Sequence, residues 1–160
     1  GLRPTPDRVR ETLYNWLAPH IDGARLLDCF AGSGALFLEG LSRGAGSGIA
    51  LELERHAADS LRANLQLWQA TQAEVTQTDS LRWLDRPADR QFDLVLLDPP
   101  FHRDLLQQAC QLLEDNGWLA EQAQVYTESE QPPSLLGLPA RWQLHREKHT
   151  GQVYYALWKT

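Results

Sequence analysis

The sequence contains no methionine, only two cysteines and no long apolar run. Cys29 and Cys110 lie far apart, and neither belongs to a CxxC or Cys/His pattern. They therefore predict buried thiols in a reducing compartment, with no structural zinc or other metal site. The absence of ~20 consecutive apolar residues argues against a membrane-spanning helix, and no secretory signal opens the chain. We therefore expect a cytoplasmic protein with no membrane partner.

The composition is that of an ordinary globular protein. The chain has 160 residues, of which 42% are hydrophobic and 22% are charged. This length and balance predict a single domain over residues 1–160 and a monomer. Because the chain opens on Gly1 with Arg3 almost at once, we also expect a native segment that precedes it.

The net charge of −6 opposes a nucleic-acid partner at first sight, because phosphates are neutralised by lysine and arginine. The charge is unevenly distributed, however. Residues 1–10 carry three arginines against one aspartate, and residues 141–160 carry four basic residues against one glutamate. Two basic ends around an acidic body are compatible with RNA contact.

Alternating strand and helix patterns predict an α/β fold. Apolar spacing predicts a helix over 6–18, with Thr5 as N-cap and Pro6 as its first residue. Further helices are predicted near 34–43, from Ala58 to Trp68, in a short turn through Leu84, and over 103–114. Strands are predicted at 24–29, 48–52, 73–78, 92–97 and 123–128, followed by a hairpin around Thr150-Gly151. This order implies a mostly parallel, Rossmann-like sheet with helices on both faces and the hairpin at one edge.

Acidic residues follow the first three predicted strands, and a glycine-rich turn follows the first. Asp28, Glu52 and Asp79 occupy the strand ends, and F-A-G-S-G spans residues 30–34. In such a fold, ligands bind at the carboxyl ends of the strands, where glycines let the backbone approach them closely. A plain strand–helix turn, a solvated Glu52 and a capping role for Asp79 are the alternatives.

The ligand that this pattern favours is S-adenosylmethionine (SAM). A dinucleotide fingerprint requires a third glycine, and Phe37 occupies that position. Asp28 would repel a pyrophosphate but suits a ligand that carries an ammonium group. Glu52 is placed to accept hydrogen bonds from ribose hydroxyls.

The segment Asp98-Pro99-Pro100-Phe101 is the most specific signal in the chain. Two prolines after a buried strand remove two N–H donors and leave carbonyls that can point at a ligand. An aromatic amine is a poor nucleophile, and hydrogen bonds from its N–H groups to Asp98 and the Pro99 carbonyl would aim its lone pair at the methyl group. Phe101 would stack on a flipped or unpaired base. The alternative is a proline turn that ends a core strand.

Together these segments resemble the class I SAM-dependent methyltransferases that modify amino groups. R-P-T-P-D-R-V-R-E (3–11), L-D-C-F-A-G-S-G (27–34), L-S-R-G-A (41–45) and G-Q-V-Y-Y (151–155) are similar to one family, RsmD, which methylates a guanine N2 of bacterial 16S ribosomal RNA. The resemblance implies a seven-stranded sheet and, as substrate, RNA in an assembled or partly assembled small subunit. It implies a SAM site formed by Asp28, Phe30, Ala31, Gly32, Gly34, Glu52, Leu53, Asp79 and Ser80, and a target-base site formed by residues 98–101.

RNA contacts are expected from basic residues near both ends and after the proline turn: Arg3, Arg8, Arg10, His102, Arg103, Arg146 and Lys148. Solvated surface is the alternative for each. The proline turn would serve adenine, cytosine or guanine, so guanine follows from the resemblance alone. Other amino-methyltransferases, acting on DNA adenine N6 or protein glutamine, remain open, as does a non-catalytic SAM- or nucleotide-binding module.

Overall fold

The computed structural model describes residues 6–100 and 105–160. The helices are α1 Asp7–Leu17, α2 Ala35–Ser42, α3 Arg55–Leu67, α4 Ser80–Leu84 and α5 Leu105–Asp115. The strands are β1 Arg25–Asp28, β2 Ser47–Glu52, β3 Ala73–Gln77, β4 Phe92–Leu97, β5 Leu119–Ser129, β6 Gln143–Thr150 and β7 Val153–Lys159.

The described strands form one seven-stranded sheet in the order β3-β2-β1-β4-β5-β7-β6. The strands from β3 to β5 pair in parallel, and β7 pairs antiparallel with both β5 and β6. The chain builds outward from β1 to β3 and then returns to place β4 on the other side of β1, which makes the β1–β4 boundary the topological switch point. The predicted fold class, with the hairpin at one edge, is confirmed.

Two apolar cores cover the two faces of this sheet. Alternation along β1 sends Leu26 into one core and Leu27 into the other. The first core contains side chains of α1, α2 and α3, and the second contains side chains of α4 and α5. Helices on both faces explain why β4 is buried almost throughout.

The register places the hairpin turn at the carboxyl edge of the parallel strands. Ser129, the last residue of β5, pairs with Tyr154, and Gln124 pairs with Lys159 near the other end of β7. The turn at Gly151 therefore lies at the same sheet edge as the ends of β1, β2 and β4. This edge brings together residues that are far apart in sequence.

Three local predictions need correction. Pro6 is the N-cap of α1 rather than its first helical residue. Its carbonyl accepts from the Val9 and Arg10 N–H groups. Thr5, the predicted N-cap, lies outside the described residues. β5 begins at Leu119 rather than near 123, because an irregularity in its pairing with β4 interrupts the apolar alternation. Trp68 caps α3 and is 51% exposed, although its spacing predicted the buried face.

The predicted burial of the two thiols is confirmed. Trp118, Trp142 and Trp158 are buried in the core. In the described part of the chain, no helix is both long and apolar enough to cross a bilayer.

Candidate functional site

The loop after β1 is held in a conformation that depends on glycine. Gly32 has φ 56° and Gly34, the N-cap of α2, has φ 84°. The Ala31 N–H donates to the Leu51 carbonyl at 3.0 Å, which ties the loop to the end of β2. A Cβ at Gly34 would lie 2.4 Å from Leu61 Cδ1, so the close packing of α3 also requires glycine there.

Glu52 braces this loop from the neighbouring strand. Its Oε1 accepts from the Gly32 N–H at 2.8 Å, and its Oε2 accepts from the Glu54 N–H at 2.7 Å. The side chain is buried, so the solvated alternative for Glu52 does not apply. A carboxylate has about four acceptor positions, so these two bonds are compatible with the predicted ribose contact.

Asp28 is the buried acid at the end of β1. Its Oδ1 accepts from the Phe30 N–H at 3.2 Å. Burial, with smaller contributions from the charges of Glu52 and Glu128, raises the pKa of Asp28 to about 7 against the opposing effect of the Phe30 N–H. A carboxylate that burial and like charges disfavour in its ionised form is a suitable partner for a cationic group, which would offset both effects.

Asp79 and Ser80 both make structural contacts. The sequence predicted a capping role only for Asp79. Asp79 is the N-cap of α4 and accepts from the Leu81 N–H at 3.0 Å, which is the capping alternative. The Ser80 hydroxyl donates to the Cys29 carbonyl and so ties α4 to the end of β1. Leu53 is 68% exposed next to Glu52, where its side chain is accessible to a ligand.

The proline turn follows β4 at the same edge of the sheet. Asp98 and Pro99 are half-buried and Pro100 is exposed, whereas Phe101 lies outside the described residues. Burial strongly raises the pKa of the Tyr126 hydroxyl, and the nearby charges of Glu128 and Asp98 add to this rise. Asp98 therefore lies close to the end of β5 as well as to the end of β1.

Glu128 and Tyr126, both on β5, belong to this edge but were missed by the sequence analysis. Glu128 is buried, and its Oε1 accepts from the Tyr126 hydroxyl at 2.8 Å. The available signal was an acidic residue at the end of a fifth strand, which is the pattern that identified Asp28 and Glu52. The fifth strand predicted over 123–128 ended on Glu128, so the signal was present in the sequence.

The candidate RNA-contact residues have different surroundings. Arg8 and Arg146 are exposed, and Lys148 is half-buried. Arg10 forms an ion pair with Asp7, while its Nε is buried and without a hydrogen-bond partner among the described residues. The remaining candidates, Arg3, His102 and Arg103, lie outside the described part of the chain. Over residues 6–100 and 105–160, no group of three or more His, Cys, Asp or Glu side chains is placed to hold a metal.

The fold and this edge define a class I methyltransferase. The putative methyltransferase yhhF from Escherichia coli superposes with a TM-score of 0.94 at 50% identity, over 99% of this chain and 87% of that chain. A more distant RNA methyltransferase from Salinibacter ruber, solved in complex with S-adenosyl-L-homocysteine, has a TM-score of 0.74 at 20% identity, over 98% of this chain and 93% of that one. At that identity the second comparison concerns the fold alone.

A family model and curated relatives identify the family to which the chain belongs. The family model described as conserved hypothetical protein 95 matches residues 1–159. Ribosomal RNA small subunit methyltransferase D of Escherichia coli strain K12 is 50% identical over 159 residues, which cover 99% of this chain and 80% of that protein. The chain belongs to this family, which is the RsmD family that the sequence resemblance indicated.

Proposed function

We propose that this chain transfers a methyl group from SAM to the exocyclic N2 amine of a guanine in small-subunit ribosomal RNA. The observation that carries the proposal is the 50% identity, along nearly the whole chain, with a protein named as a small-subunit ribosomal RNA methyltransferase. The geometry of the sheet edge supports the same chemistry. A glycine loop, two buried acids and the proline turn meet there.

The residues at this edge fit SAM by their charge and shape. Asp28 would accept the ammonium of the cofactor, Glu52 and Leu53 would meet the ribose and the adjacent ring, and the loop from Phe30 to Gly34 would supply close backbone contact. When bound, SAM supplies a methyl group on a positively charged sulfur. The Asp79 and Ser80 contacts described above shape the wall of the site at β3 and α4, and we propose that their backbone lies beside the cofactor.

The acceptor amine would be held by the Asp98 carboxylate and the Pro99 carbonyl, with the base against Phe101. These two acceptors fix both N–H groups, so the nitrogen lone pair points at the methyl carbon. Transfer would form a nitrogen–carbon bond and leave the carbon–sulfur bonding pair on sulfur. Asp98 would stabilise the positive charge that develops on nitrogen and would accept the departing proton.

RNA binding would depend on the basic residues that the sequence singled out: Arg3, Arg8, Arg10, His102, Arg103, Arg146 and Lys148. We propose that the substrate is the RNA of an assembled or partly assembled small subunit and that the enzyme acts as a monomer. Because ribosomal RNA is the substrate, the cytoplasm is the compartment in which we expect it to act.

The alternatives from the sequence have no support among these relatives. Their names specify ribosomal RNA rather than DNA or protein, in Haemophilus influenzae (48% identity over 99% of this chain) as in Escherichia coli. A binding module without catalysis would give no reason for a half-buried carboxylate followed by two prolines at the cofactor edge.

The test is methyl transfer from radiolabelled SAM to separate samples of bare ribosomal RNA, small subunits, DNA and protein. We expect label in small-subunit RNA, and label only in DNA or only in protein would overturn the proposal. Asp98→Ala should retain SAM binding and lose transfer. If SAM binding disappeared as well, the separation between cofactor site and acceptor site would be wrong.

A further inference from the structure

Glu128 and Asp98 occupy neighbouring positions at the end of adjacent strands. Leu97 pairs with Thr127 in the last parallel pair of β4 and β5, and Asp98 and Glu128 are the next residue on each chain. The charges of both carboxylates act on the Tyr126 hydroxyl, so each lies within electrostatic range of it. Glu128 is also within electrostatic range of Asp28, whose pKa it helps to raise.

The position of the Glu128 carboxylate is fixed from within the sheet. The Tyr126 hydroxyl donates to its Oε1 at 2.8 Å, and both side chains are buried. Tyr155 of β7 pairs with Glu128 from the other side and is buried too. A carboxylate held in this way can accept several hydrogen bonds and donates none when ionised. The Glu128 carboxylate therefore favours a ligand group that donates a hydrogen bond.

The edge of guanine that carries the N2 amine has two adjacent donors, N1–H and N2–H. Adenine and cytosine instead place an unprotonated ring nitrogen, an acceptor, next to the amine. In the proposed function Asp98 and the Pro99 carbonyl would contact the amine alone, so the proline turn by itself would accept any of the three amines. Discrimination requires a second acceptor beside Asp98, and Glu128 is the buried acceptor at that position.

We propose that Glu128 accepts the N1–H of the target base while Asp98 accepts the N2–H, so that Glu128 determines the specificity for guanine. This inference rests on the proposed function, and it assigns base identity to a residue outside the proline turn. An adenine or cytosine in the same pose would set its ring nitrogen against the carboxylate, leaving two buried acceptors face to face. Such an unsatisfied pair is strongly unfavourable, which makes the discrimination large.

The experiment uses small subunits reconstituted with RNA in which the nucleotide that the wild-type enzyme methylates is either guanine or 2,6-diaminopurine. Both bases carry the N2 amine, but N1 is a donor in guanine and an acceptor in diaminopurine. The two substrates are compared by kcat/KM with the wild-type chain and with Glu128→Gln, whose amide can donate to N1 of diaminopurine. Glu121→Gln, an exposed position on the same strand, is the matched control.

We expect the wild type and Glu121→Gln to prefer guanine, and Glu128→Gln to lower kcat/KM for guanine by about 10- to 100-fold while that for diaminopurine stays level or rises. Equal losses on both bases would overturn the inference and leave Glu128 a structural residue. No loss on either base would overturn it as well. A wild-type enzyme that methylates no guanine of unmodified small-subunit RNA would instead overturn the proposed function itself.

Two further measurements distinguish a loss of base specificity from a loss of folding: the activity of Tyr126→Phe and the SAM affinity of Glu128→Gln. Tyr126→Phe removes the hydroxyl donor but keeps the carboxylate, so we expect a smaller loss of activity with the guanine preference intact. SAM affinity of Glu128→Gln should change far less than the base preference, since in the proposed arrangement Glu128 contacts the base and Asp28 contacts the cofactor. If Tyr126→Phe abolished the preference while Glu128→Gln retained it, the discrimination would belong to the hydroxyl, which contradicts the inference.

Discussion

Asp28 is the residue whose burial has the clearest measurable consequence. Its pKa is raised from an ordinary 3.8 to about 7, first by burial and then by the charges of Glu52 and Glu128. Between these two pH values the folded chain holds a proton that the unfolded chain has lost. The contribution of Asp28 to the free energy of unfolding therefore falls as pH rises from about 4 to about 7 and is level above that.

Asp28→Asn should remove this pH dependence. In the absence of cofactor we expect the variant to be more stable than wild type at pH 8, by up to about 4 kcal/mol, because no charge is buried. The asparagine oxygen can still accept from the Phe30 N–H. Urea unfolding at pH 5 and pH 8 measures the effect, and SAM affinity should fall in the same variant. An unchanged pH dependence would show that the Asp28 carboxylate is not buried as described.

At the level of single residues, the sequence predicted the site unevenly. Asp28, Glu52 and Asp98 could be located because each follows a strand whose end is clear from its apolar run. Glu128 ends the predicted fifth strand in the same way, but its hydrogen bond from Tyr126 and its closeness to β4 depend on the strand order, which the sequence did not give. The Ser80 hydrogen bond to the Cys29 carbonyl joins positions 51 residues apart, which no local pattern reports.

At the level of elements, the loop between β1 and α2 carries the strictest backbone requirement. Gly34→Ala should destabilise the fold by about 2–3 kcal/mol, from left-handed strain and from contact of the new methyl group with the buried Leu61. Gly151→Ala is a matched control: φ is 60° there, and nothing lies within 4 Å of an added Cβ. Its loss should be about 1 kcal/mol. Equal losses in urea unfolding would mean that the Leu61 contact is unimportant.

The hairpin of β6 and β7 brings basic side chains to the carboxyl edge of the sheet. If Arg146 and Lys148 contact phosphates, replacing both with glutamine should weaken RNA binding and reduce its dependence on salt. The slope of log affinity against log salt should flatten by about 1.5–2. Arg90→Gln, at the opposite edge before β4, should leave the slope unchanged, and SAM affinity should be unaltered in both cases. An unchanged slope in the hairpin variant would place RNA binding elsewhere.

The elements themselves were largely predictable because their patterns are local. β4 matched its predicted bounds, since five of its six residues are apolar and buried and only Asp93 interrupts the run. The first residue of α1 shifted because proline is compatible with both the N-cap and the first helical turn. Trp68 followed the helical spacing yet lies at the C-cap, where the chain turns away from the core.

At the scale of the whole molecule, the positions of the acidic residues explain how a chain with a negative net charge can bind RNA. The chain carries a net charge of −6, but several of its acids are turned inward at the cofactor edge, where Asp28, Glu52 and Glu128 are buried. Basic residues of the terminal hairpin lie along the same edge, outside these acids. The order of the strands places the buried acids and the hairpin at one edge of the sheet. The sequence predicted the class of fold but not this order.

The measurement that tests the account most directly is the nucleoside composition of small-subunit RNA after incubation with the chain and SAM. Mass spectrometry of the digested RNA should detect N2-methylguanosine, made by the wild-type chain and absent with Asp98→Ala. Methylation of another nucleoside, such as N6-methyladenosine, or of the protein components alone would contradict the account.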